Sequence, residues 1–381
     1  MIQATGAAKV QAAGGFRALS FDAGAPLQLS SGETIAPLTV AFETYGALNA
    51  ERSNAVLVCH ALGGDQFVAS PNPITGRPAW WPRIVGPGLP IDTNRLFVIC
   101  SNVVGGAMGS TGPSSPASDG KPHGLRLPPI TIADMVRAQA MLVEALGIES
   151  LFLVIGPGMG GMQALNWASA YPRRVFACAS VAASARQSAQ NIALAELGRQ
   201  AIMADPDWRN GAYMAHNVRP LKGANIARTA MRITDLAADE VRTRAQGFSN
   251  QEQFKIALDG GAPAAYIDRF DANSFLYLSR AMDRFDLARD FGGRLSNAFQ
   301  DASTRYGVFA FKDDWRYPPQ DSREIAHALI GAGADASYVE IPSGGGHDAC
   351  FREEPQFEAA LTGFVDAAAA ARGLALQGGT L

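Results

Sequence analysis

The sequence predicts an α/β fold: a mostly parallel sheet covered by helices on both faces, with a helical lid inserted into it. Three observations carry that expectation. Apolar, β-branched runs alternate with amphipathic stretches along most of the chain. Residues 152–165, FLVIGPGMGGMQAL, read as a buried strand that runs through a glycine-rich turn into a helix. From about Ser184 to Gln300, helical patterns follow one another with no convincing strand between them.

Taken in order, residues 1–15 are rich in Ala and Gly and are expected to be disordered. Strands are expected at Leu38–Phe42, Ala55–Cys59, Leu96–Cys100, Leu151–Ile155, Val175–Val181, Tyr306–Phe311 and Ser337–Ile341. Several of these, such as AVLVC at 55–59, are continuously apolar, as strands covered on both faces must be. Between them, Ile132–Leu146, Gly161–Ala170, Ser322–Gly331 and Pro355–Ala371 carry the spacing of amphipathic helices. The α/β core is therefore assigned to 16–183 and 301–381, and the lid to 184–300. An insertion at that point covers the carboxyl ends of the strands, where open α/β sheets bind their ligands.

Composition excludes several classes of function. With 381 residues, 48% hydrophobic and a formal charge of −3, the chain has material for a large core and lacks the basic surplus of a nucleic-acid binder or a polybasic membrane patch. No apolar stretch of eighteen residues occurs, and the N-terminus has no charged region followed by a hydrophobic core, so neither a membrane span nor a signal peptide is supported and a cytoplasmic protein is expected. Cys59, Cys100, Cys178 and Cys350 lie far apart without C-x-x-C spacing and read as buried reduced thiols. The five histidines show no pairing at ligand spacing, so no metal is expected, and no phosphate loop of the G-x-x-x-x-G-K-[ST] type is present.

The strand–turn–helix at 152–165 is where an α/β-hydrolase fold carries its nucleophile in a G-x-S-x-G elbow. This chain has Gly156-Pro157-Gly158-Met159-Gly160, so the nucleophile position is Gly158 and carries no side chain. The other partners follow in the expected chain order. Lys312-Asp313-Asp314-Trp315 follows one predicted strand, and Gly344-Gly345-Gly346-His347-Asp348 follows the next. Asp314 is expected to fix the imidazole of His347, leaving its other nitrogen free as a general base. An oxyanion hole needs only main-chain donors, and Met159, after the elbow, and Leu62, in His60-Ala61-Leu62-Gly63-Gly64, stand at the right places.

At this point the chain closely resembles the homoserine O-acetyltransferases and their homoserine or serine O-succinyltransferase relatives. The resemblance covers about residues 36 to 370. It rests on Cys59-His60-Ala61-Leu62, FVICSNVVGGAMGSTGPSSP (97–116), ITIADMVRAQAMLVEALGI (130–148), MGGMQALNWASAYPRRV (159–175), ELGRQAIMADPDW (196–208), DANSFLYLSRAMDRFDLA (271–288), DDWRYPP (313–319) and GHDA (346–349). It implies acyl transfer from an acyl-CoA, as a substrate and not a resident cofactor, to the hydroxyl of homoserine, through an acyl-enzyme on a serine at the position of Gly158. It further implies that Arg199 holds the substrate carboxylate, that Asp348 lies near the substrate amino group, and that the protein is a homodimer joined through its lid helices.

Departures from the family pattern gather around the site. Pro157 and Gly158 replace the Gly-Ser of the elbow, Asp313 and Arg316 flank the acid differently, and Gly344, Gly345, Cys350 and Phe351 differ around the histidine, as do Gln66 and Phe67 after the HAL loop. Four functions stay open on this reading: direct acyl transfer without a covalent intermediate; a different reaction of the His347–Asp314 pair, such as hydrolysis, elimination or C–C cleavage; a binding protein that keeps the fold; and an engineered replacement of the serine. A displaced nucleophile is a further option, with Cys350 or one of Ser110, Ser114 and Ser115 as candidates.

Overall fold

The computed structural model describes residues 8–13, 16–237, 241–242, 271–300 and 303–374. Its centre is a nine-stranded sheet. In chain order the strands are β1 (Ala8–Ala13), β2 (Phe16–Phe21), β3 (Leu38–Tyr45), β4 (Ala55–Cys59), β5 (Phe97–Ser101), β6 (Leu151–Pro157), β7 (Val175–Val181), β8 (Arg305–Phe311) and β9 (Asp335–Ile341). Across the sheet they run β1-β2-β3-β5-β4-β6-β7-β8-β9. Every pairing from β5 through β9 is parallel, whereas β1 to β3 and the β3–β5 pairing are antiparallel.

Residue alternation sorts the sheet's side chains into two cores. Leu57, Ile99, Val154, Cys178 and Val308 point into the layer formed by helices α1 (Ile132–Ala145), α2 (Met159–Ala170) and α7 (Pro319–Gly331). Val56, Val58, Leu153, Ile155, Ala179 and Phe309 face the opposite layer, built from α8 (Pro355–Arg372) and the loop around Trp81. A strand with helices on both sides needs apolar residues at every position, and β4, β5 and β6 are buried throughout.

One local device anchors the sheet's antiparallel end to this framework. Thr131 and Asp134 form a reciprocal capping box at the start of α1. The fully buried carboxylate of Asp134 also accepts the backbone N–H of Ser30 at 2.7 Å and pairs with Arg137. Asp134→Ala leaves those donors without an acceptor, so it is expected to cost about 2–4 kcal/mol of stability while leaving the distant cavity unchanged; chemical denaturation beside a ligand-independent spectrum of the site checks it.

The predicted strands and helices are all present, with ends that move by a few residues. Two strands of the central sheet were not anticipated. Ala8–Ala13, expected to be disordered, pairs antiparallel with Phe16–Phe21, which in turn pairs with β3. The Ala-rich sequence of the first of these, AKVQAA, hides a strand that depends on its neighbour for its pattern. The predicted lid interval 184–300 contains α3 (Ala189–Ala204), α4 (Leu221–Asp235), α5 (Ala272–Asp283) and α6 (Leu287–Asp290); its residues 238–240 and 243–270 lie outside the described ones. Helices α3 and α4 pack on each other and expose Leu197, Ile226 and Ile233. No described helix is long and apolar enough to cross a membrane.

Candidate active site

Strand β6 ends at Pro157 and α2 begins at Met159, so the reversal between them falls on Gly158. Its φ of +54° and ψ of −117° lie where side-chain-bearing residues are rare and strained. The Gly158 N–H donates to the Val181 carbonyl at 3.0 Å, and its own carbonyl accepts from Gly161 and Met162. These bonds hold the sharp turn of a nucleophile elbow although no nucleophile stands there. A Cβ placed on Gly158 lies 3.4 Å from His347 Nε2, 3.5 Å from its Cε1 and 3.7 Å from Tyr317, all ordinary contacts.

His347 follows β9 in a short 3₁₀ turn, and Asp314 follows β8. Their side chains are buried and bonded, Nδ1 to Oδ2, at 2.9 Å. The second oxygen of Asp314 accepts the backbone N–H groups of Arg316 and Tyr317, each at 2.9 Å. An acceptor so saturated by main-chain donors stays in one orientation and remains an acceptor toward His347. It thereby holds the proton on Nδ1 and leaves the Nε2 lone pair facing Gly158. The rings of Tyr317 and Phe351 lie against the imidazole, with centroids 5.3 and 6.4 Å away.

A cavity of about 320 Å³ opens over this pair, and Leu62, Gly158 and Met159 are in its wall. Among the described residues, nothing accepts the backbone N–H of Leu62 or of Met159. Two donors without acceptors beside an elbow have the composition of an oxyanion hole. His60 steadies the loop before Leu62, with Nδ1 bonded to the Ala61 carbonyl and Nε2 accepting from Val103.

The far wall is charged. Arg316 Nη1 binds Asp235 at 2.7 Å, Arg232 pairs with Asp348, and Arg352 approaches Asp348 at 3.4 Å. Burial pushes the Asp235 carboxyl above its ordinary range despite the arginine beside it.

The sequence-predicted residues Gly158, His347, Leu62, Met159 and Asp348 thus line one cavity, and Asp314 stands behind His347, bonded to its Nδ1. Arg199 does not join them. It is buried, bound to Glu196 of its own helix at 2.8 Å and, across to α5, to Asp283 at 2.7 Å and Ser279 at 3.0 Å. Asp348 lines the cavity, but its carboxylate is already committed to arginines. The displaced nucleophiles are placed elsewhere too. Ser110 is tied to Asn102 and Ala41, Ser115 to Gly112, and Ser114 lines a separate cavity beside the lid. The Cys350 thiol is buried, donates to the His347 carbonyl at 3.2 Å, and is pushed well above its ordinary range by that burial. A thiol-specific reagent is therefore expected to label none of the four cysteines of the folded protein and all four after unfolding; rapid labelling of Cys350 in the native state would reverse its assignment as inert. Among the described residues, no group of His, Cys, Asp and Glu is arranged to hold a metal ion.

The sequence profile of the alpha/beta hydrolase fold matches residues 54–354. A homoserine O-acetyltransferase of Mesorhizobium japonicum is 52% identical over 370 residues, covering 93% of this chain and 94% of its own. One from Caulobacter vibrioides is 53% identical over 367 residues, covering 93% and 96%. The chain belongs to the homoserine O-acetyltransferase family. It is accordingly an enzyme of the acyltransferase kind on an α/β-hydrolase fold. Solved structures agree: the homoserine O-acetyltransferase from Bacillus anthracis superposes with a TM-score of 0.81 at 28% identity, covering 95% of this chain and 98% of that one. Esterase E22 gives 0.83 at 29%, covering 94% and 100%.

Within this acyltransferase-family site, sequence reasoning missed Asp235, Arg232, Met231 and Trp80; all but Arg232 line the cavity, and Arg232 pairs with Asp348 in its wall. The first three sit on a lid helix whose pattern gives no sign of which turn faces the sheet. Arg316 departs from the family pattern, and its partner Asp235 is legible only in three dimensions. Of the other departures, Phe351 lines the cavity, whereas Asp313 is exposed and Gln66 and Phe67 are buried beneath the loop.

Proposed function

We propose that the protein transfers an acyl group from an acyl-CoA directly to the hydroxyl of homoserine or a similar hydroxy compound, with His347 and Asp314 as the base pair and no acyl-enzyme. The observation that carries this reading is the 3.4 Å between the Cβ position of residue 158 and His347 Nε2. The place of an attacking side chain is open, and it faces a nitrogen that can take a proton. An acceptor hydroxyl seated there gives its proton to Nε2 while its oxygen bonds to the thioester carbonyl carbon. The carbonyl oxygen gains the negative charge and is held by the N–H groups of Leu62 and Met159. Collapse breaks the carbon–sulfur bond, and the departing thiolate takes the proton back from His347. Ester and free CoA thiol result, with every proton accounted for.

Names carried by the relatives point to homoserine as acceptor and an acetyl donor. The rate is expected to be low for the family, because loss of a covalent nucleophile leaves on the order of 10³–10⁴-fold catalysis over water. Thiol release from acetyl-CoA and succinyl-CoA, with and without homoserine, tests the reading. Release that requires the acceptor and shows no pre-steady-state burst supports it. Release at the same rate without acceptor indicates hydrolysis by water, and acyl groups found covalently on the protein overturn the direct route.

A further inference from the structure

The lid and the loop that carries Asp314 are bound to each other at several points that the acyl-transfer reading leaves unused. From α4, Asp235 Oδ1 binds Arg316 Nη1 at 2.7 Å, the Met231 carbonyl accepts Arg316 Nη2 at 3.2 Å, and the Leu236 carbonyl accepts Trp315 Nε1 at 3.1 Å. From α3, Asn191 Nδ2 donates to the Arg316 carbonyl at 2.7 Å. The end of α4 also presses on the histidine loop. A Cβ on Gly346, whose φ is +63°, would lie 2.4 Å from the Ala237 nitrogen, and Arg232 pairs with Asp348 beside it. All of these partners flank Asp314 or His347 by no more than two residues, except where they belong to the lid itself.

We propose that Asp235 is a positioning residue for the His347–Asp314 pair. By anchoring the guanidinium of Arg316, it fixes the turn in which the Arg316 and Tyr317 N–H groups hold Asp314, and so keeps Asp314 Oδ2 aimed at His347. The proposal rests on that pair being the base of the reaction. Its physical basis is the cost of an uncompensated buried charge. The side chains of Arg316 and Asp235 are 13% and 19% exposed, and removing one partner leaves the other with little solvation. An unpaired guanidinium relieves this by turning toward water. The backbone of residue 316 moves with it, and that backbone supplies one of the two N–H groups on Asp314. The lid is thus part of the site's alignment as well as its cover.

The test reads His347 directly. In the chain as it stands, without substrate, the Nδ1–H proton shared with Asp314 is expected to give a resolved low-field proton resonance. Asp235→Asn and Arg316→Gln, each alone, are expected to weaken or shift that resonance and to lower kcat by roughly tenfold or more while KM stays within a few-fold. The double variant Asp235→Asn/Arg316→Gln replaces the ion pair with a neutral hydrogen-bonded pair and is expected to restore both readouts toward those of the parent. A pair that serves only to stabilise the lid lowers Tm in the single variants and leaves the resonance and the kcat of the folded protein unchanged, which overturns the proposal. If Asp235→Asn does not fold, Arg316→Gln and the double variant report on the same contact. The resonance needs no turnover, so failure of the acyl-transfer reading and failure of this one are told apart.

Discussion

Gly158→Ser is expected to raise acceptor-dependent thiol release from acetyl-CoA by up to about 10⁶-fold, and to do so through a covalent acyl-enzyme. That ceiling is what the loss of a serine nucleophile costs when the rest of a triad is kept. The remaining parts are already aligned. The turn is held by the Val181, Gly161 and Met162 hydrogen bonds, and a Cβ meets nothing closer than the 3.4 Å contact with His347 Nε2. A hydroxyl added to that Cβ reaches hydrogen-bonding distance of the imidazole without displacing a neighbour. The same substitution strains the backbone, because a side chain at φ +54° and ψ −117° costs about 1–3 kcal/mol. A new hydrogen bond to His347 returns about 1 kcal/mol of that. The variant is therefore expected to be faster and to melt a few degrees lower than the parent. Mass spectrometry after mixing with acetyl-CoA detects the acyl-enzyme, and a scanning calorimeter the change in Tm. A serine variant that folds, stays unacylated and gains no rate shows that the cavity no longer accepts the family's donors.

How far the sequence alone reaches is visible at this same position. Elbow, acid and histidine were legible because each lies at the end of a strong apolar strand, and strands of that kind are specified locally. Their chain order then assigned roles. Arg199 was not legible in this way, because a lone arginine on a lid helix carries no sign of its partners. Three-dimensional packing gives it Asp283, Glu196 and Ser279, and it is not among the residues that line the cavity over His347. Asp235 is the converse case. Its helix offers no motif, yet its turn meets the loop after β8 and binds the arginine that departs from the family pattern. Ala8–Ala13 was lost for a related reason. An Ala-rich edge strand takes its conformation from the strand beside it, so composition alone reads as disorder. Local patterns thus reveal what a strand carries to its own end, and contacts between lid and core have to be seen.

His347→Ala is expected to lower whatever turnover the chain has by roughly 10²–10⁴-fold, and the two replacements of Asp314 are expected to separate chemistry from stability. General-base assistance is worth typically 10²–10⁴-fold, and with no serine present it is the largest share left besides the oxyanion donors. Asp314→Asn keeps an oxygen for the Arg316 and Tyr317 N–H groups but turns an NH₂ toward His347. The imidazole must then accept at Nδ1 and carry its proton on Nε2, which is the wrong tautomer for a base, at a cost of around 10⁴-fold where this exchange has been made in a triad. Stability should change little. Asp314→Ala removes the acceptor altogether and leaves two backbone N–H groups and the imidazole unpaired in a buried place. At about 1–3 kcal/mol for each unsatisfied group, that variant is expected to be several kcal/mol less stable as well as inactive. Steady-state rates and chemical denaturation on the three variants give the comparison. If Asp314→Asn keeps the parent's rate, Nε2 is not the base, and the proton from the acceptor leaves by another path across the cavity. If it loses rate while its denaturation midpoint holds, the 2.9 Å contact between Asp314 and His347 is doing chemistry and not only holding two loops together.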